Sequence, residues 1–283
     1  MKRFKIIHRT YYNYTGKVSL GDHFLLLRPR ENHELRIESF ALKINPAADV
    51  RWYRDIEGNS VAIANFSEAT QQLLVESETV IQQNNEAPLD FLVADEALNY
   101  PFAYRADDFT MLSPYLTLPG ASEREQINQW INSIWQPDEL IQTYTLLLRI
   151  ARAIFESQTY RVREEPGVQT SVETLSSGSG SCRDFSRLFM DATRCLGLAS
   201  RFVSGYLNAP LMSALVGATH AWAEVYLPGA GWKGFDPTIG DIVGPDHIAV
   251  AVASLPESVP PISGSYLGSE TSTMDVGVWV SEV

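Results

Sequence analysis

The sequence predicts an α+β protein in which an N-terminal antiparallel β-sandwich is followed by helices packed on a second antiparallel sheet. Three observations lead there. Strand-like segments crowd the first 85 residues, helical periodicity begins abruptly after Gly120, and strand alternation returns after Ser200.

In the first part, Lys2–Tyr14 mixes β-branched and aromatic residues, and Phe24–Arg28 is an apolar run closed by Pro29. Arg36–Asn45 alternates, with Ile37, Ser39, Ala41 and Lys43 on one face and Glu38, Phe40, Leu42 and Ile44 on the other. Val50–Arg54, Val61–Phe66 and Leu73–Gln82 complete the strands, with Glu57-Gly58-Asn59 as a turn. Asn84–Gly120 holds several prolines and no sustained period, so it reads as a connection. The expected organisation is therefore a β-rich domain over residues 1–85, a connection over 86–120 and a catalytic domain over 121–283.

Beyond Gly120, Ser122 and Glu125 have capping-box spacing, and Ile127, Trp130, Ile131 and Ile134 share a helical face before Pro137. A second helix follows, with Leu140, Tyr144, Leu147, Leu148, Ala151, Ile154 and Phe155 on one side. Ser176–Ser181 then reads as a flexible loop. Phe185, Leu188, Phe189, Ala192 and Leu196 recur at helical spacing up to Gly197, so Cys182 opens a helix.

Composition limits the function. The 283 residues are 45% hydrophobic and 20% charged, enough to bury a proper core. A net charge of −12 argues against nucleic-acid partners, which require a basic surface. Residues 1–54, however, carry eleven Lys/Arg against five Asp/Glu, which suggests a positive domain docking on an acidic one. Phe4, Ile6 and Ile7 give way at once to His8 and Arg9, and no apolar run is long enough to span a bilayer; the expectation is a cytoplasmic protein without membrane partners. Cys182 and Cys195 form neither a disulfide framework nor a zinc site, and no EF-hand loop is present, so neither metal nor cofactor is expected.

At a helix N-terminus, free backbone N–H groups and the positive end of the macrodipole favour an anion, which suits a nucleophilic thiolate at Cys182. A lone cysteine at a helix start is also commonly a small buried residue. Thirteen residues at about 100° each put Cys195 roughly on the opposite face, where it reads as core. Two other motifs fail on these residues. Arg183 stands where a dinucleotide loop needs its last glycine, and no Gly-x-Ser-x-Gly elbow is present.

Downstream, Ser200–Leu207 reads as a strand, Asn208–Ala218 as a loop, and Thr219–Leu227 alternates so that His220, Trp222, Glu224 and Tyr226 share a face. Gly229-Ala230-Gly231 turns the chain into a second strand ending at Asp236. Such a hairpin can bring His220 and Asp236 together across the ladder. Taken singly, His220 is also what a hydrogen-bonded strand histidine looks like, and Asp236-Pro237 what a turn looks like. With a helix-start cysteine they make a set, because a thiolate needs a base and the base needs an orienting acceptor.

Four blocks carry a specific resemblance: Gly180-Ser181-Cys182-Arg183-Asp184-Phe185, Leu196–Leu198 with Arg201–Tyr206, His220–Tyr226, and Gly231–Thr238. In order and spacing they resemble the bacterial transglutaminase-like superfamily. His8–Tyr14 and Leu25–Arg30 resemble that family's β-rich leading region. The resemblance implies a papain-like core, Cys182, His220 and Asp236 as catalytic residues, and a thioester intermediate. Family members are described as transglutaminase-like enzymes or cysteine proteases. The resemblance does not choose between these; for a peptide or protein amide substrate, hydrolysis is the first expectation because uncontrolled crosslinking inside a cell would be harmful, acyl transfer to an amine the second, and a non-catalytic binding module the third. The chain departs from the family after Asp246–Ala251, where Ser254-Leu255-Pro256 replaces the Arg-Asp-Tyr common in relatives.

Overall fold

A computed structural model describes residues 2–84, 87–163, 165, 167–208 and 218–283. Strand β1 (Lys2–Leu25) is followed by β2 (Leu35–Asn45), β3 (Ala48–Arg54), β4 (Ser60–Phe66) and β5 (Thr70–Gln83). At 24 residues β1 is long enough to serve two layers. Its first half lies in the ladder with β5, and its second half pairs with β4, the register shifting between Asn13 and Val18. The Phe24–Arg28 segment expected as a strand of its own is the end of β1 and the chain leaving it.

Among the described residues five α-helices come next: α1 (Ala106–Leu112), α2 (Ala121–Ile131), α3 (Thr143–Ser157), α4 (Ser171–Ser177) and α5 (Cys182–Cys195). Three corrections arise here. Helix α2 begins with Gly120 as its N-cap, so Ser122 lies inside the first turn and the Ser122/Glu125 box is not its cap. Helix α3 starts at Thr143, leaving Leu140 exposed before it, and Phe155 points largely to solvent. The run at Ser176–Ser181 is structured: Ser176 and Ser177 end α4, Gly178 takes the left-handed conformation that closes it, and Ser179–Gly180 pairs in parallel with Thr159–Tyr160. Short polar residues and glycine look alike in a loop and in a cap.

The second sheet contains β6 (Ser200–Leu207), β7 (His220–Leu227), β8 (Gly231–Asp236), β9 (Asp241–Ile242) and β10 (His247–Ala253), ordered β9-β8-β7-β6-β10 and antiparallel throughout. Most of the loop expected over Asn208–Ala218, residues 209–217, lies outside the described residues. Ala221, Ala223, Val225 and Leu227 face α5, where they meet Phe185, Leu188 and Phe189 in the main core. Phe189 stacks on Phe235 with centroids 5.6 Å apart, joining helix to sheet. Full burial of each such side chain is worth about 1.5–3 kcal/mol.

The end of the chain returns to its beginning. Strands β11 (Ile262–Leu267) and β12 (Ser272–Glu282), which the expected division left with residues 121–283, pair with β1. Their alternation is weak and their pairing partner lies some 260 positions away, which a local pattern cannot signal.

The two sheets meet through an apolar layer of Phe4, Ile6, Ile81, Tyr206, Ile248, Val250 and Val278. This departs from the expected docking by charge. Arg3 pairs with Glu38, Lys5 with Glu78 and Arg9 with Glu76, all within the first sheet, whereas Lys2–Asp246 at 3.0 Å bridges the two. Lys5 and Arg9 find carboxylates across the β1–β5 ladder, and Arg3 reaches over β5 to Glu38 on β2. Asn59 also ties the sheets. Its amide accepts from Val252 N–H at 2.9 Å and donates to Val252 C=O at 2.8 Å, completing the edge of β10. No described helix is long and apolar enough to cross a membrane.

Candidate active site

Cys182 is the first residue of α5, and its approach is held by a buried carboxylate. Asp184 Oδ2 accepts from Ser181 N–H and from Ser181 Oγ, both at 2.8 Å, while Oδ1 accepts from Gln169 N–H at 2.8 Å and from Arg163 Nη1 at 2.7 Å. Burial opposes the charge on Asp184, but these four donors hold its carboxyl below the ordinary carboxylate range. A side chain at Gly180 would meet Asp184 Cβ at 2.9 Å, so the closeness of this turn requires glycine.

His220 opens β7 and Asp236 closes β8. The register Ala223↔Phe235 carries His220 just past the end of β8. There His220 Nε2 lies 2.6 Å from Asp236 Oδ2, and both side chains are buried. The structure thus brings the two together as the hairpin argument expected. Asp236 also begins a turn, accepting from Thr238 N–H through Oδ1 at 2.8 Å. The turn role and the histidine contact use different oxygens, so one does not preclude the other.

Burial alone would lower the His220 pKa. The charge and hydrogen bond of Asp236 outweigh it, Cys182 adds to the effect, and the imidazole is pushed up to about 10. Burial opposes the charge on Asp236 as well, but His220 and then His247 outweigh it and drive the carboxyl well below the ordinary range. His220 Nδ1 itself has no partner within hydrogen-bonding geometry. Nε2 is committed to Asp236, so Nδ1 is the atom left for the thiol. Cys195 lies at the far end of α5, half-buried, with burial pushing its thiol up to about 11, in keeping with the core role expected of it.

Two features of the site were not singled out from sequence. His247 Nε2 lies 3.1 Å from the same Asp236 Oδ2, and Arg163 pairs with Asp184. The Asp246-His247-Ile248 block was visible, but only the fold shows that His247, at the start of β10 and on the far side of β7 and β6 from β8, reaches Asp236. His220, Asp236 and His247 have potential ligand atoms within 4.8 Å of one another, close enough to raise the question of a metal. His247 Nδ1, however, accepts from Gly244 N–H at 3.2 Å, so Nε2 carries the ring hydrogen and offers no lone pair. The donor set fits a hydrogen-bonded network better than a cation. Trp222 packs edge-on against His247 at 5.2 Å and against Val203 and Val252, as a wall of this pocket.

A cysteine at a helix start, a histidine and an aspartate at the ends of neighbouring antiparallel strands, and helices laid on that sheet define a transglutaminase-like, papain-like core. Residues 4–82 match the bacterial transglutaminase-like N-terminal region and residues 136–237 the transglutaminase-like superfamily, and the chain belongs to that superfamily. An uncharacterized protein of Mycobacterium tuberculosis is 30% identical over 296 residues, covering 98% of this chain and 91% of that one. An uncharacterized protein of Mycobacterium leprae is 26% identical over 290 residues and is covered end to end, as is this chain. Among solved structures, a Cytophaga hutchinsonii protein provisionally assigned as a cysteine protease has a TM-score of 0.76 at 18% identity, covering 100% of this chain and 91% of its own. That likeness is one of fold.

Proposed function

We propose that the protein is a cysteine-dependent amide hydrolase, a peptidase or isopeptidase, working through Cys182, His220 and Asp236. The observation that carries this reading is the buried His220–Asp236 pair at 2.6 Å, which leaves His220 Nδ1 unpartnered. An imidazole raised to about 10 is an imidazolium at neutral pH, the state that stabilises a neighbouring thiolate and has a proton to give.

In the proposed sequence the Cys182 thiolate adds to the amide carbonyl. The carbon–nitrogen bond breaks as His220 passes its Nδ1 proton to the leaving amine, and a thioester remains. Water then attacks the thioester, giving a proton to Nδ1 as the thiolate leaves with the bonding pair. Asp236 keeps Nε2 as the donor and balances the imidazolium. The Cys182 N–H, in a first helical turn without intrahelical acceptors, is placed to donate to the oxyanion.

Transfer of the acyl group to an amine is the second reading, since it differs only in what attacks the thioester. Hydrolysis is preferred, and the provisional assignment of the Cytophaga hutchinsonii neighbour points the same way. A cytoplasmic setting, a peptide or protein substrate and independence from cofactors are part of the same proposal. Incubation with a library of amide peptides, with and without a primary amine, tests it by mass spectrometry. Free acid supports the hydrolase, amine incorporation the transferase, and neither product a binding module.

A further inference from the structure

Asp236 Oδ2 receives two imidazoles. His220 Nε2 stands at 2.6 Å and His247 Nε2 at 3.1 Å, while Oδ1 is held by Thr238 N–H at 2.8 Å. His247 is buried at the start of β10, and the backbone of the loop before it fixes its tautomer: Gly244 N–H donates to Nδ1 at 3.2 Å, so the neutral ring must carry its hydrogen on Nε2, facing the carboxylate. Trp222 lies edge-on against the ring and closes that side. The chain from Gly244 N–H through His247 to Asp236 and on to His220 therefore has every donor and acceptor assigned.

We propose that His247 is a positioning residue of this site, a neutral Nε2–H donor that pins Asp236 Oδ2 so that the carboxylate addresses His220 in one orientation. This rests on the reading of Cys182, His220 and Asp236 as the reacting set. With His220 alone on Oδ2 the carboxylate can turn about its Cβ–Cγ bond together with the imidazole it is meant to orient, whereas a second donor anchored in β10 holds Oδ2 independently of His220. A buried charge also needs its lone pairs satisfied, and among the described residues only His220 and His247 hydrogen-bond to Oδ2. His247 acts through Asp236, to which it donates, and not on the thiol.

The experiment requires no substrate. Alkylation of Cys182 by iodoacetamide is followed by peptide mapping in the wild type, His247→Leu and His247→Gln, and the His220 Nε2–H resonance is followed by proton NMR, assigned by its loss in His220→Gln. His247→Leu is expected to slow Cys182 alkylation ~10- to 100-fold, the ratio corresponding to loss of one hydrogen bond to a charged group. It should also shift and broaden the His220 resonance. His247→Gln, whose amide N–H can reach Asp236, should recover most of the rate and a sharp resonance. If His247→Leu melts early, His247→Met removes the donor with an unbranched side chain of similar reach. Wild-type rate and resonance in a folded variant lacking the donor would overturn the positioning role while leaving the triad intact. Slow Cys182 alkylation in the wild type would instead overturn the triad reading and this proposal with it.

Discussion

His220 Nε2 and Asp236 Oδ2 lie 2.6 Å apart in the interior, where neither can turn to water. Asp236→Asn cannot reproduce this arrangement. The amide has one oxygen, already wanted by Thr238 N–H, and would turn an NH₂ toward two imidazole N–H donors. Turnover should fall about 10²–10⁴-fold, and stability should fall by about 1–3 kcal/mol as buried donors lose their acceptor. Steady-state kinetics and a thermal melt on one preparation measure both. Near-normal turnover with a normal melt would remove Asp236 from the triad.

The pair also sets a pH dependence. His220 is raised from 6.5 to about 10, so its contribution to stability is complete below pH 6.5 and is lost as pH climbs through 10. Asp236 is lowered from 3.8, so its contribution is present above that value and is lost as pH falls through its lower folded value. The melting-temperature gap between wild type and His220→Gln should therefore be widest in mildly acidic solution and should close toward pH 10. A gap that widens with pH would contradict the assignment.

Cys182 and Cys195 provide an internal comparison. Limiting iodoacetamide at neutral pH should label Cys182 first, since it stands at the helix start beside His220, whereas the Cys195 thiol is pushed up to about 11 by burial. Preferential labelling of Cys195, read by peptide mapping, would sink the nucleophile assignment.

Asp184→Ala would leave Arg163, Gln169 N–H and Ser181 without their shared acceptor. Stability should drop by about 3–5 kcal/mol, the range for breaking a buried ion pair, and Cys182 alkylation should slow as the helix start loosens. Chemical denaturation checks the first effect and alkylation the second.

Much of this site was legible because its parts are local. A run of apolar residues at helical spacing located the start of α5, and a hairpin with its turn at Gly229–Gly231 was enough to bring His220 to Asp236. What the sequence concealed was non-local. His247 joins the site only because β10 lies beside β6 at the sheet edge, and β12 finds β1 from the opposite end of the chain. The reading of the Ser176–Ser181 run failed for a different reason: its serines and glycines build a helix end and a cap, a use that composition does not distinguish from a loop. The charge imbalance between the two parts was real, but basic strands satisfied themselves on neighbouring carboxylates and left the interface to apolar side chains.

Every step of the proposed chemistry passes through an acylated Cys182. Rapid acid quenching of the enzyme with an amide substrate identified from the library, followed by intact-mass and peptide analysis, tests it directly. An acyl adduct is expected on the peptide bearing Cys182, absent in Cys182→Ala and strongly reduced in His220→Ala. Substrate turnover that persists in Cys182→Ala, with no adduct on Cys182 in the wild type, would contradict it.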